Sequence, residues 1–121
     1  MILRGVLRGG LADHHALPED FLGELRRSGR RPGYPTVNRA IMRSLTGFVN
    51  ARGRYAQVGV PVTLVYSEQD WSRVAEREHV ARLLTNAETV TVPGAGHFSA
   101  LERPTEMVRI IRQSVGRTVG S

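Results

Sequence analysis

Among the side chains able to do acid–base or nucleophilic chemistry, Asp70 and His97 occupy matching places. Asp70 follows the β-branched run Val62-Thr63-Leu64-Val65-Tyr66, by way of Ser67-Glu68-Gln69. His97 follows Thr89-Val90-Thr91-Val92, by way of Pro93-Gly94-Ala95-Gly96. Each stands just past the C-terminal end of a predicted strand, the edge where open α/β sheets bind ligands. The acid precedes the base by 27 residues with one predicted helix between them. A crossover of that length brings the two loops side by side. A carboxylate held against an imidazole there can orient the ring while the ring works as a general base. Glu68 is the competing carboxylate on the same loop.

Other candidate groups carry less. Cysteine is absent, which excludes a disulfide framework, a thiolate zinc site and a cysteine nucleophile. Asp13-His14-His15 has adjacent side chains that diverge, and no second ligand pair at helix spacing accompanies it, so no metal is expected. Gly94-Ala95-Gly96 lacks the full glycine pattern and the lysine of a phosphate loop. His79 falls within a predicted helix, as a surface or boundary residue.

The elements that must position Asp70 and His97 begin near Gly59-Val60-Pro61. Beyond that point the pattern is β-α-β-α. Strand 62–66 is apolar on both faces, as in a strand buried within a parallel sheet. The spacing predicts a helix over Ser72–Ala87, with Val80, Leu83, Leu84 and Ala87 on its buried stripe. Strand 89–92 should stop at Pro93-Gly94. Pro104 opens a last helix with Met107, Val108, Ile111 and Val115 facing inward and Gly116 as its stop. Before residue 59 only helices are predicted. One starts at Leu17-Pro18-Glu19-Asp20, shares Phe21, Leu22 and Leu25 on a face, and ends at Ser28-Gly29. A loop follows over Arg30–Pro35. A second helix runs from Thr36 or Asn38 to about Tyr55, with Ile41, Met42, Leu45, Phe48 and Val49 at helical spacing. Two strands alone leave both sheet edges unpaired, which invites pairing with other polypeptide.

With these residues in place, the sequence resembles the α/β-hydrolases, whose triad runs Ser, then Asp or Glu, then His. The resemblance rests on the strand-then-Asp segment Val62–Asp70, on Gly94-Ala95-Gly96-His97, and on Glu102-Arg103-Pro104 opening the final helix. It covers residues 61–115. It implies a fold class of α/β, the C-terminal part of the family fold with an incomplete sheet. It implies that residues 1–58 are a helical lid or cap remnant and residues 59–121 the β-α-β-α portion of the core. Asp70 matches the acid and His97 the base, while Trp71 and Phe98 would line the acyl pocket. The implied function is hydrolysis of an ester or related bond of a small molecule, without a cofactor. Ser67 stands where the family usually has glycine. The nucleophile elbow, Gly-x-Ser-x-Gly, is missing, because none of the seven serines has glycines two positions before and after. The His-Gly-type oxyanion segment is missing too. The chain alone is therefore expected to be inactive, with the missing N-terminal half or a self-associating partner completing the sheet. The alternative is a non-catalytic remnant or docking subunit.

Composition bounds these readings. A chain of 121 residues, 40% hydrophobic and 23% charged, fits one globular domain. No run approaches the length of a membrane span. Arg4 and Arg8 interrupt the apolar start, which does not read as a signal peptide, so a cytoplasmic location is the default. All 17 basic residues are arginine, and ten of them fall in residues 1–60 against four acids, whereas residues 61–121 balance at seven and seven. Such a basic half could attract an anionic surface. Nucleic acid is disfavoured, because only Phe21, Tyr34, Phe48 and Tyr55 interleave with the arginines.

Overall fold

The computed structural model describes residues 2–119. Its centre is a parallel pair formed by the β-branched runs, β1 (Val62–Gln69) and β2 (Ala87–Gly96), joined through helix α4 (Val74–Leu83). Ahead of them come α1 (Ile2–Gly9), α2 (Glu19–Gly29), α3 (Tyr34–Asn50) and a 3-10 turn over Ala51–Gln57. After β2 come a one-turn helix α5 (Ser99–Glu102) and α6 (Pro104–Val119). This is an α/β fold with an incomplete sheet of two strands among the described residues.

Strand alternation sends one face of the pair against α6. Val92, Ala95 and Ile110 are buried there, with Val65, Val90 and Met107 packed against them. The Ser114 hydroxyl oxygen of α6 lies 2.9 Å from that of Thr63. On the opposite face the Arg77 guanidinium of α4 lies 5.1 Å from the Tyr66 ring centroid. A second cluster, Leu7, Leu11, Leu17 and Leu22, ties the N-terminal helices together and touches Phe98 and Leu101 beyond β2.

Several boundaries differ from those the sequence predicts. Helix α4 is shorter than Ser72–Ala87, because residues 70–73 are held in a turn and Ala87 pairs with Val62 as the first residue of β2. Strand β2 does not stop at Pro93-Gly94. The register steps from Ser67↔Val92 to Gln69↔Gly96, so Pro93–Ala95 loop out opposite Glu68. A bulge tolerates the missing proline N–H, and Gly94 supplies the positive φ of 58° the bend needs. Pro35 joins α3 because its first turn needs no N–H donor. Gly116 does not end α6, which runs to Val119. The start at α1 was not anticipated.

The inward face of α6 is also rotated from the predicted one. Ile110 is the buried residue, while Val108, Ile111 and Val115 are exposed. Among the described residues no element buries that stripe. The same holds for α3, where Val37, Ile41, Met42, Leu45, Phe48 and Val49 are exposed. Phe21 turns outward while Leu22 is buried. The accessible surface is 8997 Å², against about 6500 Å² for a compact monomer of this mass. The exposed apolar stripes of α3 and α6 are part of that excess surface.

Candidate active site

The acid loop is built by backbone chemistry at the end of β1. Asp70 N–H donates to the Ser67 carbonyl at 3.3 Å, closing a tight turn. The Asp70 carboxylate then accepts the Ser72 N–H at 2.9 Å. Its Oδ1 also meets Nδ1 of His97 at 3.1 Å. The carboxylate is 12% exposed and the imidazole 42%, so the acid is screened while one side of the ring stays open. Burial alone would push the Asp70 carboxyl up. The Ser72 N–H, the His97 ring and the Ser72 hydroxyl together outweigh it and hold the carboxyl below its ordinary value. An ionised carboxylate is acceptor-only, so Nδ1 carries the proton and the Nε2 lone pair is left free.

The His97 ring is held on three sides. Trp71 stacks on the His97 ring with centroids 4.3 Å apart and planes 15° from parallel. Phe98 stands edge-on to His97 at 5.1 Å and to Trp71 at 5.7 Å. The Trp71 Nε1–H donates to the Gly9 carbonyl at 3.1 Å, and the His97 N–H donates to the Gly10 carbonyl at 2.7 Å. All four candidate residues, Asp70, Trp71, His97 and Phe98, are thus brought together at one sheet edge.

Other candidates are placed elsewhere. Glu68 accepts the Gly94 N–H at 2.9 Å and so braces the β2 bulge. The Asp13 carboxylate accepts the His15 N–H, and the His14 ring bonds the Arg8 carbonyl, so this cluster shapes a turn. Among the described residues no serine hydroxyl hydrogen-bonds to the His97 ring. Ser67 is buried, the Ser72 hydroxyl accepts from Arg77, and the Ser114 hydroxyl donates to the Ile110 carbonyl. Ser121 lies outside the described residues.

Sequence reasoning missed Arg77. Its guanidinium donates to the Ser67 carbonyl at 3.0 Å, to the Ser72 carbonyl at 2.8 Å, to the Ser72 hydroxyl at 2.9 Å and to the Asp70 carbonyl at 3.4 Å. It therefore spans the whole acid turn. An arginine one turn into a helix reads as surface, and only its position opposite a tight turn signals otherwise. Lysine offers donors from a single point and cannot bridge both ends. Arg77→Lys should lower unfolding free energy by about 1–3 kcal/mol, measured by urea denaturation. An unchanged midpoint and slope would mean that the guanidinium does not organise the turn.

The arrangement has the fold of the C-terminal part of an α/β-hydrolase, with the Asp70 carboxylate and the His97 imidazole paired past the C-terminal ends of its strands. Two solved structures carry the likeness. Cfl2 wild-type from Burkholderia cenocepacia superposes with a TM-score of 0.78 at 22% identity, over 93% of this chain and 39% of that one. The 2-hydroxy-6-oxo-6-phenylhexa-2,4-dienoate hydrolase BphD from Rhodococcus sp. strain RHA1 gives a TM-score of 0.73 at 16% identity, over 93% of this chain and 42% of that one. The likeness is one of fold, and this chain spans about two fifths of the length of either. No protein-family model and no curated protein matches the sequence. No helix among the described residues is long and apolar enough to cross a membrane.

Proposed function

We propose that this chain supplies the acid and base of a hydrolase site acting on an ester or related bond of a small molecule. The serine nucleophile and oxyanion donors would come from polypeptide that joins at the unpaired edge of β1. His97 Nε2 takes the proton of the attacking hydroxyl, and Asp70 stabilises the imidazolium through Nδ1–H. The same Nε2–H then passes its proton to the leaving group, and water repeats the cycle to release the acyl product. Trp71 and Phe98 line the acyl side. Residues 1–58 act as the cap and residues 59–121 as the core portion. The observation that carries this reading is the 3.1 Å contact between the Asp70 carboxylate and His97 Nδ1.

The purified chain, treated with a fluorophosphonate probe, is expected to show no serine labelling, because a triad acts as a unit and loses most of its power without its nucleophile. Labelling of one serine, abolished in His97→Gln, would show that the chain is complete in itself.

A docking subunit without catalysis is the second reading. The unpaired β1 edge and the exposed stripe Val108, Ile111, Val115 favour it. Sedimentation should then reveal association, whereas a compact, cooperatively unfolding monomer counts against it.

A further inference from the structure

We infer that Glu102 is a positioning residue for His97, clamping the loop that carries the base onto the N-terminal segment 9–13. This rests on the acid–base reading of Asp70 and His97 and adds a residue to it.

Glu102 ends α5, the single turn that follows the base, and its side chain folds back over that turn. One carboxylate oxygen accepts the Gly96 N–H at 2.7 Å. The other accepts the Asp13 N–H at 2.9 Å. Between these two anchors the His97 N–H donates to the Gly10 carbonyl. Three backbone donors, at Gly96, His97 and Asp13, are thereby fixed across one seam. The seam has no slack. A Cβ on Gly96 would collide with the Gly10 carbonyl and come within 2.7 Å of the Ala12 nitrogen. A Cβ on Gly10 would come within 2.6 Å of both the Phe98 and Trp71 rings.

The chemistry of the clamp requires a carboxylate. Both partners are N–H donors, and only an ionised acid presents two acceptor oxygens on one carbon. Glutamine keeps one acceptor and aims an amide donor at the second N–H. Aspartate is one methylene too short to keep the reach. The residue just before the base would then lose its anchor, and the His97 ring its fixed approach to Asp70.

The test is Glu102→Gln in the full chain, read by NMR as exchange of the His97 Nδ1–H with solvent. A positioning role predicts exchange at least about tenfold faster, the factor that about 1.4 kcal/mol of lost hydrogen bonding carries. The β1–β2 amides should stay protected. Ser114→Ala, which removes the hydroxyl contact between α6 and Thr63 at the opposite end of the strands, serves as the control for general destabilisation and should leave this exchange unchanged. Faster exchange in Glu102→Gln alone supports the clamp. Equal rates in wild type and Glu102→Gln, or equal acceleration in both variants, would overturn it. Should Glu102→Gln fail to fold, amide exchange in the wild type decides: Asp13 and Gly96 must be protected together, and free exchange at either refutes the clamp. If the wild type shows no bonded Nδ1–H at all, the acid–base reading itself fails, a different outcome from the failure of Glu102.

Discussion

Asp70→Asn should strip the His97 imidazole of its counter-charge and flatten part of the acid limb of stability. The Ser72 N–H and His97 Nδ1 meet the same oxygen, Oδ1, so an amide oxygen in that place still accepts from both but carries no charge. The imidazolium that forms when Nε2 takes a nucleophile's proton is then left without an anionic partner. In a completed triad such a change costs on the order of 10⁴-fold in rate. In the chain alone the readout is stability. A charge-assisted contact of this kind contributes about 1–2 kcal/mol. Folding holds the Asp70 carboxyl below its ordinary value, so its contribution is full above that value. It disappears as pH falls through the lowered one. Thermal melts between pH 7 and pH 2 should therefore show a shallower loss in the variant. A residual limb will remain, because Arg27, Arg117 and Arg109 lower Glu24, Glu88 and Glu106 in the same direction. Parallel limbs in variant and wild type would separate Asp70 from acid stability.

Emission from Trp71 should report the charge on His97. Trp71 is the single tryptophan of the chain, and the imidazole lies flat on its indole. Protonation places a cation against the ring face, a contact that perturbs the indole directly. Acidification should therefore change the fluorescence in one step while far-ultraviolet circular dichroism stays constant. His97→Phe preserves the stacking and should abolish the step. His14, His15 and His79 make no ring contact with Trp71, so a step that survives in His97→Phe would mean that the stack does not exist in solution.

The juxtaposition of Asp70 and His97 was legible in the sequence because it depends on order and place. A β-branched run followed closely by Asp70, then a helix, then a second run followed by Pro-Gly-Ala-Gly-His, fixes which sheet edge both groups share. The seam around them was not legible. Gly9 and Gly10 sit in a stretch whose arginines and glycines argue against a core element, yet their carbonyls hold Trp71 and His97. Nothing local marks a contact between residues so distant in the chain. Glu102 was visible as part of a pattern but not as a clamp, since its partners are backbone groups. The strand run through Pro93-Gly94 was missed because proline and glycine read as breakers, whereas a bulge converts both into assets. On α6 the apolar positions form two adjacent faces, Met107 with Ile110 and Val108 with Ile111 and Val115. Periodicity cannot say which one meets this sheet.

The pairing of Asp70 with His97 turns on where the proton of the His97 ring resides. Long-range nitrogen–proton correlation on the folded chain at neutral pH should place it on Nδ1, shielded from exchange, and Asp70→Asn should weaken that shielding. A proton on Nε2 in the wild type, or a ring spectrum indifferent to Asp70→Asn, would contradict the pairing of acid and base.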